Sequence, residues 1–455
     1  MNKFTHYYFL GIGGIGMSAI ARYFKHAGYD VSGYDRTPSP LTKELEKEGI
    51  TIHYSPMLEA VPKDIDHTFV IYTPAIPSDF EELTYVQEQG YTLCKRSKAL
   101  GEIAQNQKCL AVAGTHGKTT TSTLLAHIYT HSGEGCNAFL GGISKNYDTN
   151  LLLSKNPVLV AEADEFDRSF LQLYPSIAII TATDADHLDI YSTHRHVIEA
   201  FGMFASQIKP DGALIVKQGV EVPTEHVSCN IYRYSFNTLC DFYGSDIVAL
   251  EGGYFDFTIN YPHGKIEHCT VGVPGWVNVE NAIAAAAVAI LDGLDKEAVK
   301  KALATFSGVK RRFDIHINTP ECAYIDDYAH HPNEIRAAVS SMRDIFRGRR
   351  ICGIFQPHLY TRTRDFADDF ADALSTLDEL ILLPIYPARE LPIEGVTSEI
   401  ILDKVTIPDK VLIDKEHLMD TIHTRDIDCL VTFGAGDIDR FIEPIEQYLK
   451  GCLKK

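Results

Sequence analysis

The chain has 455 residues, which is too many for one ordinary hydrophobic core and favours about three domains. Its 45% hydrophobic and 23% charged residues are typical of globular proteins and exclude extended disorder. A formal net charge of -19 argues against nucleic acid or an anionic membrane as the main partner, so an anionic ligand must be bound by local loops, helix N-termini and arginines.

The cysteines and the N-terminus bear on where the protein works. Ten cysteines are present without a C-x-x-C pair, and Cys109, Cys352 and Cys429 lie in apolar, strand-like runs, which indicates buried reduced thiols. The N-terminus lacks the ordered basic, apolar and cleavage segments of a signal peptide, and no run reaches the ~18 apolar residues of a membrane span. We therefore expect a cytoplasmic protein.

Apolar strand-like runs alternate with amphipathic helical patterns, which predicts α/β domains built on largely parallel sheets. The first block, 1–107, begins with the strand HYYFLGIGG, a helix from Met17 to His26 and a strand VSGYD that ends at Asp35. The GIGGIG spacing in this context is that of a dinucleotide-binding loop, whose glycines admit a pyrophosphate and whose distal acid holds a ribose hydroxyl. The candidate ligand-binding residues are Gly11, Gly13, Gly14, Ile15, Gly16 and Asp35. Taken alone, the loop indicates an NAD-type cofactor or a tight structural turn.

The second block, 108–309, opens with the strand CLAVAG and the loop AGTHGKTTT before a helix. Backbone N–H groups of such a loop wrap a phosphate chain, while Lys118 neutralises phosphate oxygens and Thr119 offers its hydroxyl to magnesium. Val112 stands where the full phosphate-loop pattern has glycine, so this loop is a shorter relative of that pattern. The predicted ATP-binding residues are Gly114, Thr115, His116, Gly117, Lys118, Thr119 and Thr120. Two phosphate-binding loops favour one domain for a nucleotide-linked substrate and a second for ATP over a simple dehydrogenase.

Two acidic segments follow apolar strands later in this block. EADEFD supplies Glu162, Asp164, Glu165 and Asp167, and DADHLD supplies Asp184, Asp186, His187 and Asp189. Because the carboxyl ends of parallel strands face the ligand crevice, we predict that Glu162 and His187 bind magnesium and that most of the other residues are solvated. Residues 212–272 are rich in aromatic and β-branched residues and predict an antiparallel or irregular insertion. A helix is predicted from about Val279 to Leu291.

The third block, 310–455, restarts the α/β pattern after a hinge near Gly308 to Arg312. Polar residues follow its first strands: Asp326, Asp327, Tyr328, His330 and His331 after AYI, and His358, Arg362 and Arg364 after the next. Arginine suits carboxylate recognition because its planar fork makes paired hydrogen bonds. The paired histidines have no cysteine or third histidine at zinc spacing. The run Lys310, Arg311 and Arg312 at the hinge is of a type that is usually solvated, but its position between domains would also let one of the three reach a γ-phosphate.

These residues together resemble the Mur ligase family over essentially the whole chain. The matching segments, in order, are GIGGIGMSAIA, GTHGKTTT, EADE, DADHLDIY, PGWVNVENAIAA, RRFD, DDYAHHP, FQPHLYTRTRD and GAGD. The resemblance implies three α/β domains: a Rossmann-like N-terminal domain for a UDP-sugar, a central P-loop-type ATPase domain, and a C-terminal Rossmann-like domain that binds an amino acid.

The resemblance also assigns roles to positions. It places Lys118, Thr119, Glu162 and His187 at phosphate and magnesium positions, Asn278 and Asn281 on the adenine side, Arg312 and Asp327 at the nucleotide, and Tyr328, His330 and Arg362 in the amino-acid pocket, with His330 among the catalytic residues. Val277 replaces a common histidine, Leu359 replaces a second arginine of some members, and EADEFD replaces the commoner EADESD.

The implied reaction uses ATP and Mg²⁺ to activate the lactyl carboxylate of UDP-N-acetylmuramate as an acyl phosphate, which the amine of L-alanine then attacks. The segment FQPHLYTRT favours alanine addition over a tripeptide-recycling ligase of the same family. Alternatives of other classes are an NAD-dependent oxidoreductase and a nucleotide-regulated binding protein. The assembly is expected to be a monomer or a homodimer.

Overall fold

The computed structural model describes residues 3–186, 188–388 and 390–453. Its strands form three sheets of five, ten and six strands, each with helices between strands. Most of the strand pairs are parallel, because most crossovers run through a helix. The predicted three-part α/β architecture is confirmed.

The first sheet has the order β3-β2-β1-β4-β5 and parallel pairs throughout. The central strand, HYYFL, is buried along almost its whole length, as expected for a strand covered on both faces. The strands are β1 His6–Leu10, β2 Asp30–Tyr34, β3 Thr51–His53, β4 Thr68–Tyr72 and β5 Thr92–Lys95. The helices are α1 Ile15–His26, α2 Pro40–Lys47, α3 Glu81–Glu88 and α4 Arg96–Ala104, and a 3-10 turn covers Leu58–Ala60.

The second sheet has the order β15-β14-β13-β12-β11-β10-β6-β9-β7-β8. Its strands are β6 Lys108–Ala113, β7 Asn137–Ser144, β8 Thr149–Leu152, β9 Val158–Ala163, β10 Ile177–Ile180, β11 Ala213–Lys217, β12 Asn230–Ser235, β13 Phe242–Ala249, β14 Phe255–Tyr261 and β15 Gly264–Cys269. Its helices are α5 Lys118–His131, α6 Leu188–Tyr191, α7 His194–Ser206, α8 Trp276–Leu291 and α9 Lys296–Thr305, with 3-10 segments at Phe166–Gln172 and Glu251–Gly253.

The insertion at 212–272 differs in part from the prediction. As predicted, β14 and β15 pair as an antiparallel hairpin, whereas β10, β11, β12 and β13 extend the sheet as parallel neighbours. Aromatic and β-branched composition indicates strands but carries no information about their direction, which depends on the path of the connections.

The third sheet has the order β16-β17-β21-β18-β19-β20, with β16 antiparallel at one edge and the remaining pairs parallel. Its strands are β16 Asp314–Asn318, β17 Ala323–Asp327, β18 Ile351–Phe355, β19 Glu379–Leu382, β20 Asp409–Leu412 and β21 Cys429–Phe433. Its helices are α10 Pro332–Ile345, α11 Tyr360–Asp365, α12 Ala367–Leu374, α13 Glu399–Leu402, α14 Leu418–His423 and α15 Ile442–Cys452, with 3-10 segments at Lys415–His417 and Asp437–Phe441.

The chain divides into two compact units. The first comprises residues 1–247, 257–271 and 280–307, and the second comprises 248–256, 272–279 and 308–455. The first unit contains the first sheet and almost all of the second, and one apolar cluster runs from Phe4 in the first block to Cys229 in the second. The domain boundaries near residues 107 and 309 therefore stay predictions.

Side-chain contacts also join the first two sheets inside that unit. Arg22 of α1 donates to Asn150 Oδ1 at 2.5 Å, and Asn150 Nδ2 donates to the Ile15 carbonyl at 2.6 Å. The rings of Tyr23 and Phe139 lie 5.6 Å apart between centroids. Helix α1 is therefore bonded to the β7–β8 hairpin of the second sheet.

The predicted reduced thiols are present: Cys109, Cys352 and Cys429 are buried and free. Burial raises the pKa of each of these thiols to about 12. None of the helices in the described ranges combines the length and apolarity needed to cross a bilayer.

Candidate active site

The second glycine loop connects β6 to α5 and requires glycine at two positions. Gly114 and Gly117 have φ of +131° and +81°, in the left-handed region that disfavours side chains. A methyl group on Gly114 would also collide with the Thr181 hydroxyl and approach the Ala182 amide nitrogen to 2.8 Å. The backbone therefore passes too close to the end of β10 for any larger residue.

The segment after β10 holds this loop in place. The Thr115 amide donates to the Ala182 carbonyl at 3.0 Å, and the Thr115 hydroxyl accepts from the Asp184 amide at 3.1 Å. The Thr181 hydroxyl donates to the His116 carbonyl. These bonds fix the loop at the N-terminus of α5, where helix N–H groups and the helix dipole favour an anion.

Lys118 is the first residue of α5, and its ammonium is already engaged by the protein. Nζ donates to the Gly114 carbonyl at 2.6 Å and to Glu165 Oε1 at 3.0 Å. Burial lowers the pKa of Lys118, but the neighbouring carboxylates, with Glu165 contributing most, raise it by more, so the net shift is upward. The lysine therefore stays charged where a phosphate would bind.

Glu162 lies beside the loop on the neighbouring strand β9, opposite Val112 of β6 in the strand register. Its Oε2 is buried and has no hydrogen-bond partner among the described residues. A methyl group on Gly141 of β7 would collide with this carboxylate, so the glycine leaves room for it. A buried carboxylate oxygen that is still open for a ligand is the type of donor that Mg²⁺ uses.

The other predicted magnesium ligand, His187, lies outside the described residues. Over the described ranges, no three His, Cys, Asp or Glu side chains gather as a metal site. A Mg²⁺ ion at Glu162 would need further ligands, which Thr119, His187, substrate phosphates and water could supply.

The two predicted adenine-side asparagines both lie on α8. The Thr121 hydroxyl donates to Asn281 Oδ1 at 3.2 Å, and this oxygen also lies 3.2 Å from a methyl group placed on Gly117. Asn281 is thus next to the phosphate-binding loop. One turn earlier, Asn278 Nδ2 donates to the Pro274 carbonyl at 2.6 Å, which ties the start of α8 to the preceding turn.

The first glycine loop connects β1 to α1 and has no lysine. Gly11 has φ of +86°, and a methyl group on Gly13 would lie 2.6 Å from Thr42 Cγ2. The carboxylate of Asp35 accepts from the Gly13 amide at 2.7 Å and from the Thr37 amide at 3.1 Å. Asp35 therefore binds the loop itself, and Gly14 precedes Ile15 as the helix cap without a side-chain bond.

Arg96 lies between this loop and the acidic segment after β9, a position that sequence analysis missed. Its Nη1 lies 2.9 Å from a methyl group placed on Gly16, and its Nη2 donates to Asp164 Oδ2 at 3.1 Å. Its neighbour Lys95 pairs with Asp167 at 2.7 Å. The signal in the sequence was weak, because KRSK reads as an ordinary solvated charge run.

The second compact unit holds the remaining predicted nucleotide residues, Arg312 and Asp327. Asp327 accepts from the Ala329 amide at 2.9 Å and from the Phe313 amide at 3.1 Å. Burial raises the pKa of Asp327 to about 7, against the opposing charge of Arg312. The Arg312 guanidinium lies 5.0 Å from the centre of the Tyr328 ring, so the structure brings these three residues together.

The predicted amino-acid pocket is partly assembled in the same unit. The rings of Tyr328 and His330 are 5.3 Å apart, and the His358 ring lies 6.0 Å from His330. Arg362 is buried in the short helix α11. Leu359, just before that helix, is buried with φ of +72°, an unusual conformation for a bulky residue that indicates local strain.

Family models match three successive stretches of the chain. They are described as the Mur ligase family catalytic domain at residues 6–108, the Mur ligase middle domain at 112–289, and the Mur ligase glutamate ligase domain at 311–436. The chain belongs to the Mur ligase family. The resemblance deduced from the motifs is thereby confirmed, and the ligase class is favoured over the oxidoreductase alternative.

Curated relatives of this Mur ligase match along its full length. The UDP-N-acetylmuramate–L-alanine ligase of Parabacteroides distasonis is 51% identical over 461 residues, covering 100% of this chain and 99% of that protein. The enzyme of the same name from Porphyromonas gingivalis strain W83 is 52% identical over 450 residues, covering 97% and 98%.

Solved structures show the same fold. The UDP-N-acetylmuramate-alanine ligase of Thermotoga maritima superimposes with a TM-score of 0.82 at 27% identity, covering 97% of this Mur ligase and 99% of that chain. A murein peptide ligase from Psychrobacter arcticus has a TM-score of 0.73 at 23% identity, covering 99% and 98%.

Proposed function

We propose that this Mur ligase uses ATP to join L-alanine to the carboxylate of UDP-N-acetylmuramate in the cytoplasm, as a step of peptidoglycan precursor synthesis. The observation that carries the proposal is the second glycine loop with its charged Lys118 next to the buried, open Glu162 oxygen. This arrangement suits phosphoryl transfer, and it occurs in a chain 51% identical over its whole length to an enzyme named for this reaction.

The reaction proceeds in two steps. The lactyl carboxylate attacks the γ-phosphorus of ATP, forming an acyl phosphate and releasing ADP. The amine of L-alanine then attacks the acyl carbon, forms the amide and releases orthophosphate. Catalysis of this kind depends mainly on positioning and charge neutralisation.

Lys118 and the loop backbone supply that charge neutralisation in the proposed site. The N–H groups at the start of α5 point at the phosphate chain, and the Lys118 ammonium bonds to the oxygens of the transferring group. Thr119, Glu162 and His187 are the proposed holders of Mg²⁺, which would neutralise phosphate charge when bound. Asn281 Oδ1 lies next to Gly117 and accepts from the Thr121 hydroxyl, so this side chain contacts the loop and the start of α5.

The first glycine loop is the proposed site of the UDP-sugar. Its glycines leave the backbone accessible at the N-terminus of α1, and Asp35 keeps the loop in shape through the Gly13 amide. This loop itself has no lysine, and the cation beside it, Arg96, lies at Gly16 and is paired with Asp164. The loop therefore binds the uridine diphosphate, and chemistry takes place at the second loop.

The amino acid is proposed to bind in the third domain at Tyr328, His330 and Arg362. The free carboxylate of L-alanine needs a local cation in a chain of net charge -19, and the buried Arg362 provides one. Leu359 offers no second charge, so Arg362 carries more of the recognition than in members with two arginines at these positions.

Phosphate release from ATP tests the proposed function directly. With UDP-N-acetylmuramate present, L-alanine should stimulate release more than glycine, L-serine or the tripeptide that a recycling ligase uses. Stimulation by the tripeptide above that by L-alanine would favour the recycling activity. Release that does not depend on UDP-N-acetylmuramate would contradict the proposal.

The Arg362→Ala variant tests the amino-acid pocket. It should raise the KM for L-alanine by about 10- to 150-fold and leave those for ATP and the UDP-sugar nearly unchanged, because a charge-assisted hydrogen bond contributes ~1.5 to 3 kcal/mol. Arg364→Ala is the matched control, since Arg364 is exposed and pairs with Asp365 at 2.7 Å. A change confined to the ATP parameters would assign Arg362 to the nucleotide instead.

A further inference from the structure

The carboxylate of Glu165 lies against the Lys118 ammonium. Its Oε1 accepts from Lys118 Nζ at 3.0 Å, and its Oε2 lies 2.9 Å from the same nitrogen. The Glu165 side chain is only 1% exposed, whereas the partly exposed Lys118 faces the loop. This contact joins residues 47 positions apart, from the second phosphate-binding loop and from the segment after β9.

The contact restricts where the lysine can be. An ammonium group has three donors, and the Gly114 carbonyl and Glu165 occupy at least two of them. A lysine side chain otherwise samples many rotamers, and ordering it costs entropy each time it engages a phosphate. Holding Nζ beside the loop before the nucleotide arrives removes much of that cost.

The backbone around Glu165 is itself fixed. The Tyr191 hydroxyl donates to the Glu165 carbonyl at 2.6 Å. Asp167 and Arg168, which follow it, have φ of +53° and +52°, in the left-handed region, and the Arg168 amide donates to the Glu165 carbonyl at 2.9 Å. The Arg96–Asp164 ion pair, at 3.1 Å, holds the residue just before it.

We propose that Glu165 is a positioning residue, which holds Lys118 in the place where the ammonium meets the transferring phosphate. The proposal rests on the proposed ligase function of this loop. A carboxylate so close to the phosphate chain also repels the nucleotide, and this repulsion offsets the entropy saved on binding, so we expect no net gain in ATP affinity from Glu165. Glu165 instead increases the rate at which the bound complex reacts, so its loss should lower kcat. If the ion pair were purely structural, the loss of Glu165 would lower stability and leave kcat unchanged.

Steady-state kinetics of Glu165→Gln separate the two roles. The amide has the same shape but no charge, so kcat should fall ~10- to 100-fold, the typical cost of a misplaced catalytic group, while the KM for ATP stays unchanged or falls. Glu165→Asp keeps the charge on a shorter side chain and should retain more kcat than Glu165→Gln. Glu44→Gln, in the exposed Lys47–Glu44 ion pair at 2.7 Å, is the matched control and should behave as wild type.

The outcomes distinguish this proposal from the proposed function. An unchanged kcat, or a lower melting temperature with full activity in the folded protein, would overturn the role of Glu165. Calorimetry with ADP gives a second readout that does not require ligation: Glu165→Gln should bind ADP at least as tightly as wild type, and weaker binding would contradict the proposal. If the wild type releases no phosphate with L-alanine, the ligase function fails and the ADP titration alone decides about Glu165.

Discussion

The two glycine loops follow the same strand–loop–helix plan but bind their surroundings differently. In the first, Asp35 accepts hydrogen bonds from the Gly13 and Thr37 amides, and the loop has no lysine. In the second, Lys118 projects from the first helical position and is held by the Gly114 carbonyl and by Glu165. The first loop is thus held by the Asp35 carboxylate, which accepts from backbone amides, whereas the second loop holds the Lys118 ammonium.

In the proposed function, this difference separates the loop that binds a diphosphate from the loop at which a phosphate is transferred. Backbone N–H groups and a helix dipole suffice to bind a diphosphate in either loop. Transfer also requires a cation at the negative charge that develops on the transferring group. The second loop carries such a cation, Lys118, at its own end, whereas Arg96 approaches the first loop from α4. Four predictions test the contrast, beginning with the largest expected effect.

Lys118→Ala should abolish turnover, since it removes the cation that distinguishes the two loops. Losses of ~3 kcal/mol or more in transition-state stabilisation, about 150-fold in kcat/KM, are typical for such groups. Phosphate release should be compared at a temperature at which circular dichroism shows the variant folded. Lys47→Ala, an exposed lysine in a surface ion pair, serves as the control. Ligation at a near-normal rate would show that this loop is not the transfer site.

Gly114→Ala should destabilise the protein by about 2 to 3 kcal/mol, because φ of +131° is strained for alanine and the methyl group meets the Thr181 hydroxyl and the Ala182 amide. Gly14→Ala in the first loop is the comparison, since Gly14 has φ of -64° and the nearest atom to its methyl group is 3.6 Å away. Denaturant unfolding measures both variants. Equal losses in the free energy of unfolding would mean that both loops exclude a side chain to the same extent.

Acid should weaken the helix after the second loop through His127, whose pKa burial lowers to about 4. The unfolded chain takes up a proton near pH 6.5 and the folded chain only near 4, so this contribution to stability is present above pH 6.5 and is lost as the pH falls towards 4. The loss should be about 2 kcal/mol, allowing for partial solvent screening. His127→Gln should lose correspondingly less stability over that range. His26→Gln, at an exposed position after the first loop, should match wild type, and a similar change in both variants would contradict this explanation.

Asp35→Asn should raise the KM for UDP-N-acetylmuramate by about fivefold, since replacing charge-assisted bonds to the loop amides by neutral ones costs ~1 kcal/mol. The KM for ATP should not change, because Asp35 belongs to the first loop only. Kinetics with each substrate varied in turn measure both constants. A larger effect on ATP would mean that the two loops do not have separate substrates.

The parts of this site that sequence analysis predicted well are local in the chain. The glycine spacing, Lys118 and the helix that follows lie within a few residues, so their geometry follows from backbone sterics and strand–helix order. The segment EADEFD contains four acidic residues, but the sequence does not show where their side chains point. Glu165 contacts a lysine 47 positions earlier because of how the segment after β9 packs beside the loop, and nothing in the local pattern specifies that contact.

Contacts between distant segments were missed for the same reason. Arg96 lies at the first loop because α4 packs against α1. Asn281 lies next to Gly117 because α8 contacts α5 through Thr121. Both placements depend on tertiary packing. The strand directions in residues 213–249 likewise depend on chain path and not on composition.

The bonds of α1 to the β7–β8 hairpin limit how this enzyme can be engineered. Arg22, Asn150 and the Tyr23–Phe139 contact tie the first sheet to the second, and a single apolar cluster crosses between them. A fragment ending near residue 107 would expose that apolar surface to water and would tend to aggregate. Chimaeras that exchange this segment with another family member would likewise need the matching hairpin from the same donor. The N-terminal block must therefore be exchanged together with the β7–β8 hairpin, and a separately expressed fragment has to end later in the chain than residue 107.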